Sequence, residues 1–152
     1  MNVALNPLQG NTKAGAIPVI GNVDFTGKEN LLTNIANNSG TPNLYFPAAA
    51  TSTAFYIVDS GDIAGNVTWV EVPNTGDQCR LRAYGTGSAG DVLILASPTA
   101  NAGAQKGMVR STTGSHAPSS SSGTYFVFGY AEENFVDGQT VLARFIPGTV
   151  TI

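Results

Sequence analysis

Charge is scarce in this sequence. Only 11% of its 152 residues are Asp, Glu, Lys or Arg, against about 25% in an ordinary globular chain. Asn, Thr, Ser and Gly carry the polar role instead, so covering such a surface desolvates few ions. That favours a component that docks onto neighbours. Basic residues are fewer than acidic ones, 7 against 10, for a net charge of −3. Binding to phosphates needs a basic stripe, and the sequence has none. Arg80 and Arg82 alternate with Cys79 and Leu81 and read as the wet face of a strand, so direct nucleic-acid binding is not expected. Cys79 is the only cysteine, which excludes an intramolecular disulfide. Its alternation with Leu81 and Ala83 predicts a buried thiol. No apolar run approaches the ~20 residues of a membrane helix, and no basic segment followed by an apolar one opens the chain. The expectation is synthesis in the cytosol, with no membrane partner.

The residues that carry chemistry are equally thin. His116 is the only histidine and lies in a Ser/Thr/Pro-rich segment. A general base needs an orienting partner and a rigid mount, so a solvated loop residue is expected there. A Cys79–His116 nucleophile pair is rejected because one is predicted buried and the other on a loop. Asp59 and Asp62 flank Gly61 as turn residues, and Glu132 and Glu133 read as the shoulder of a hairpin, with no calcium-loop spacing. Gly85 to Gly90 is Gly-rich but lacks the Lys-Ser/Thr ending of a phosphate loop and precedes a strand. Trp69, Tyr56 and Tyr84 are candidates for a sugar-stacking surface, although aromatics in a β-protein more often fill the core. No catalytic, cofactor-binding or metal site emerges, and an enzyme is not expected.

Along the chain, residues 1–42 read as an extended N-terminal arm and linker, rich in Asn, Gly and Pro. Pro18 within Ala16-Ile17-Pro18-Val19-Ile20 restricts that run to an edge or a position outside the hydrogen-bonded ladder. Leu31, Leu32 and Ile35 have helical spacing, which predicts one short helix between Lys28 and Asn37. Residues 43–152 form a β-domain. Strands are expected at 53–58, 67–72, 78–84, 91–96, 107–110, 124–133 and 139–146, each bounded by turn residues. Asp137-Gly138 turns the last pair. Ser111 to Gly123 is too poor in apolar residues to pack and is expected as a mobile loop. In the last strand Val141, Ala143 and Phe145 share one face, while Leu142, Arg144 and Ile146 share the other. Both faces carry apolar residues, so a second layer or a neighbouring subunit is expected on each. The fold class is all-β: a small β-barrel or β-sandwich with the arm and at most one short helix.

Gly90-Asp91-Val92-Leu93-Ile94, Gly129-Tyr130-Ala131-Glu132-Glu133 and Asp137-Gly138-Gln139-Thr140-Val141-Leu142-Ala143-Arg144-Phe145 give the C-terminal half its one family likeness. Residues 90–152 resemble the phage capsid decoration, or cement, proteins. The resemblance implies a virion protein on the capsid exterior, made in the host cytoplasm and often trimeric. It also implies that the partner is the major capsid protein, whose subunit contacts it stabilises. An extended N-terminal segment engages the shell in that family. By position this nominates Val3, Leu5, Pro7, Leu8, Ile17, Val19 and Ile20 as capsid contacts, and Leu142, Arg144 and Ile146 as oligomer contacts. A viral fibre-type or carbohydrate-binding β-module is the alternative.

Overall fold

The computed structural model describes residues 16–99, 103–119 and 123–152. The described residues form ten strands: β1 (Ala16–Gly21), β2 (Leu32–Asn38), β3 (Thr41–Tyr45), β4 (Tyr56–Ser60), β5 (Val67–Glu71), β6 (Gln78–Arg82), β7 (Val92–Leu95), β8 (Val109–Ser111), β9 (Thr124–Ala131) and β10 (Thr140–Thr151). The first five close into a barrel in the order β1-β3-β2-β4-β5, and the last five form a sheet in the order β6-β10-β9-β7-β8. The second sheet also curls until its edges meet. Ala83 bridges Val109 in parallel, and Tyr84 N–H donates to Val109 O at 2.8 Å. The all-β class is as expected, with a closed barrel and a second sheet in one fold.

Two expectations for the N-terminal third are corrected. Residues 16–42, read as arm and linker, supply β1, β2 and the start of β3, so they are part of the barrel wall. The segment expected as a helix is strand β2. The reason lies in what covers it. Leu32 packs into the core of the second sheet with Leu81, Leu93 and Phe128, whereas Ile35 packs into the barrel core with Val19, Leu44 and Val58. Side chains three apart on a strand point to opposite faces. A strand between two cores thus shows odd apolar spacing, which reads as helical.

β4 repeats the device, with Ile57 in the second sheet's core and Val58 in the barrel's. The β2–β4 wall of the barrel therefore lies against the second sheet and contributes Leu32 and Ile57 to that sheet's core, while the barrel keeps its own. Main-chain bonds lock the contact: Leu32 N–H to Gly107 O at 2.8 Å and Arg82 N–H to Asn30 O at 2.9 Å. The closing hairpin forms as expected but runs further. β10 pairs β9 in register from Ala143↔Ala131, slips at a bulge between Phe145 and Gly148, and continues to Thr151↔Thr124. A third cluster, Ile94, Tyr125 and Val127, sits on the convex side of this sheet with Ala50, Val92 and Val150 against it.

Candidate functional site

The groups with latent chemistry are dispersed. Cys79 is buried, as its alternation predicted. His116 is exposed, its ring centroid 4.2 Å from that of Tyr84 and its Nδ1 3.0 Å from Ser115 Oγ. The two stand at opposite ends of the β6 run. Glu132 and Glu133 are more engaged than a solvated shoulder: Glu132 binds Arg144 and Gln78, and Glu133 accepts from Leu142 N–H at 2.7 Å and pairs with Arg80 at 3.2 Å. Desolvation pushes the Glu132 carboxyl up, but the hydrogen bonds from Arg144 and Gln78 and the Arg144 charge outweigh it and hold the group below the ordinary value. Asp62 caps its turn through Ile63 N–H at 2.7 Å, whereas Asp59 belongs to β4 rather than to a turn. Trp69 faces away from the barrel core opposite Pro18 and Ser60, Tyr56 stacks on Phe55 at 4.6 Å, and Tyr84 rests on His116. These three aromatics form no common platform.

The Gly-rich segment 85–90 and the start of the Ser-rich segment flank a polar cleft of about 530 Å³ lined by Thr86, Ser88, Asp91, Thr113 and Ser115. Asp91 Oδ2 ties the two loops together, accepting from Ser88 N–H at 2.9 Å and Ser111 Oγ at 2.6 Å. Desolvation pushes the Asp91 pKa up, but the bonds from Ser111, Ser88 and Thr113 outweigh it and leave the carboxyl below the usual carboxylate range. Ser111 is buried at the end of β8, and Arg110 Nη1 holds His116 O at 3.0 Å. The expected mobile loop is therefore anchored over 111–116. Ser120, Ser121 and Ser122 lie outside the described residues.

Three of the nominated capsid contacts, Ile17, Val19 and Ile20, come together at the short parallel seam between β1 and β3. β1 runs antiparallel to β5 over its whole useful length, from Ala16↔Glu71 to Ile20↔Val67. On its other side it meets β3 in parallel only at Ile20↔Asn43 and Gly21↔Leu44. Toward Ala16 the strands part. The gap is a notch of about 450 Å³ lined by Ile17, Pro18, Val19, Ile20, Ile35, Thr41, Pro42 and Val67. No charged side chain borders it. Sequence reasoning missed Ile35, Thr41, Pro42 and Val67; the one available signal was a second proline, Pro42, in a strand-like run. Val3, Leu5, Pro7 and Leu8 lie outside the described residues.

The nominated oligomer contacts sit on the convex face of the second sheet but are not equivalent. Arg144 is tied down by Glu132 and by Gly76 O at 2.9 Å. Leu142 is half-buried. Ile146 is exposed, and with Tyr130, Val92, Pro147 and Val150 it borders a shallow groove of about 250 Å³.

No protein-family model matches this chain, and no curated protein matches it. Neither comparison supports the likeness of residues 90–152 to the decoration proteins. Among solved structures the chain is similar to the N base of head fiber gp8.5 of bacteriophage phi29. The TM-score is 0.61, covering 86% of this chain and 92% of that one, at 17% sequence identity. At that identity the likeness establishes the fold, a barrel and a second sheet built as in a phage head fibre base.

Proposed function

We propose that this protein is a structural component of a phage virion, seated on the outside of the capsid against the major capsid protein. The observation that carries the reading is the shared fold with a head fibre base across nearly the whole of both chains. Composition supports it, because a polar, weakly charged surface is covered at small desolvation cost. So does the dispersal of titratable groups, in keeping with a role in contact rather than catalysis. The notch between β1 and β3 is the surface best suited to the shell, since it gathers Ile17, Val19 and Ile20 beside the point where residues 1–15 join the barrel. The convex groove around Ile146 is the surface best suited to a second copy, with a homotrimer as the preferred assembly. Stabilising contacts between capsid subunits is the role the decoration-type motifs favour. The fold likeness adds weight to the fibre-type alternative, in which the same domain is the base of an appendage; the glycan-binding variant draws no support from Trp69, Tyr56 and Tyr84.

The test is co-sedimentation of purified protein with capsid particles that lack it, together with thermal disruption of the decorated particles. Saturable binding is expected, and a rise in the disruption temperature identifies the cement role. Binding without that rise favours the fibre base. Absence of binding overturns the capsid assignment. A truncation meant to remove the arm must stop before Ala16, because residues 16–21 are strand β1.

A further inference from the structure

All four arginines of this chain are engaged. Arg80 pairs with Glu133, Arg82 with Glu29 and Arg144 with Glu132, and Arg110 donates to Leu95 O and His116 O. Lys28 and Lys106 differ: among the described residues neither ammonium makes a hydrogen bond or an ion pair. Both border one pocket of about 350 Å³, with Val23, Leu31 and Phe46 as its apolar lining. Each stands on an anchored turn. Lys28 N–H donates at 3.0 Å to the carbonyl of Phe25, which is fully buried. Lys106 precedes Gly107, whose carbonyl accepts from Leu32 N–H at 2.8 Å and where a Cβ would stand 2.6 Å from Leu32 O. Asp24 is the one carboxylate at the rim and already accepts from Thr26 N–H at 2.8 Å. Two ammonium groups against one carboxylate leave the rim positive. The pocket suits an apolar side chain with a carboxylate beside it.

This chain presents such a group. Ile63 is 56% exposed, more than any other large apolar side chain described, and the Asp62 carboxylate adjoins it. That carboxylate accepts from neutral donors, Ile63 N–H at 2.7 Å and Asn66 Nδ2 at 3.1 Å, so its charge is not cancelled. The turn that carries both residues is tied to the end of the barrel. Phe25 N–H donates to Asp62 O at 2.9 Å, and Gly65 N–H to Gly21 O at 2.8 Å. A knob held this way has little left to order on docking. Ile63 does not line the pocket of its own chain. The Phe25 turn nevertheless joins knob and pocket at one end of the barrel. Two copies facing each other about a twofold axis bring each knob to the other's pocket, so that one docking makes the contact twice.

We infer that this end of the barrel is a self-association surface, in which Asp62 and Ile63 of one copy enter the Lys28–Lys106 pocket of a second copy. The contact is separate from the groove around Ile146 and does not depend on the capsid.

The test uses an Ile146→Asp parent, in which that groove is charged. Light scattering should give the mass of a dimer, and the association should weaken as salt is raised. Lys28→Glu with Lys106→Glu sets the pocket against Asp62. Ile63→Lys sets the knob against the two lysines and leaves the Asp62 cap in place. Each change should raise the dimer Kd about tenfold or more, the loss expected when like charges face each other at an interface, with the circular dichroism unaltered. Mixing the two variants should restore the dimer, because each then offers the charge the other lacks. A monomeric parent, charge variants that still dimerise, or a mixture that stays monomeric overturns the proposal. So does a monomeric parent whose binding to capsids is lost in the lysine variant, which gives the pocket to the shell. Capsid binding by wild type is measured separately, and its absence ends the capsid role while leaving the dimer standing.

Discussion

At the scale of single residues, two positions show how little freedom the local geometry leaves. Gly129 lies in the middle of β9 opposite Phe145 and Leu93, and a Cβ there would stand 1.8 Å from Arg144 O. Relief requires β9 and β10 to separate. Gly129→Ala is expected to cost about 3 kcal/mol, the upper range for overpacking, measured by urea unfolding. Asp91 is the second. Its carboxyl is held below its ordinary value of about 3.9 by the bonds from Ser111, Ser88 and Thr113, which outweigh desolvation. A depressed carboxyl contributes stability that is present above the ordinary value and is lost as pH falls through the lower, folded one. Wild type should therefore lose stability below about pH 4. Asp91→Asn should be less stable at neutral pH and show a shallower acid limb, checked by urea midpoints from pH 2 to 6.

At the scale of elements, the β2–β3 hairpin shows the turn that a right-handed strand twist demands. Ser39 and Gly40 occupy its centre with φ of 52° and 87°, the pattern of a type I′ turn, which prefers Asn-Gly. Asn tolerates the left-handed region better than Ser. Ser39→Asn is expected to stabilise by about 0.5 kcal/mol, and Gly40→Ala to destabilise by about 1 kcal/mol, both read from thermal melts. The strands from β4 onward were accessible to sequence reasoning because most of them have one clear buried face: Cys79 and Leu81 inward against Arg80 outward, Val141 and Ala143 inward against Arg144. β2 was not, because Leu32 and Ile35 serve different cores. β1 was read in part: Pro18 lies in register with Trp69 of β5, so of the two expected placements it is the edge that holds, and the sequence did not show that β1 and β3 part beside it.

At the scale of the whole molecule, the packing of barrel residues into the second sheet's core makes the barrel and the second sheet one cooperative unit. Leu32, Ala54 and Ile57 from the barrel side pack with Leu81, Leu93, Val109 and Phe128. Trp69, the only tryptophan, lies in the barrel wall and reports on that half alone. Its fluorescence and the far-UV circular dichroism of the whole chain should follow one denaturation curve. Leu93 is fully buried in the second sheet. Leu93→Ala should cost about 3 kcal/mol and shift the Trp69 transition by the same amount as the dichroism. An unmoved Trp69 curve would mean the two halves unfold separately.

The sequence by itself determined the all-β class, the lack of a second cysteine for Cys79 to pair with in this sequence, the buried thiol at Cys79 and the closing hairpin, because each follows from local alternation, turn chemistry or a residue count. Only the tertiary structure decided that residues 16–42 build a barrel, that β2 faces two cores, and that Ile17, Val19 and Ile20 meet Ile35, Pro42 and Val67 in one notch. Those outcomes depend on which distant strand lies alongside, and strand pairing joins residues that local spacing never places together.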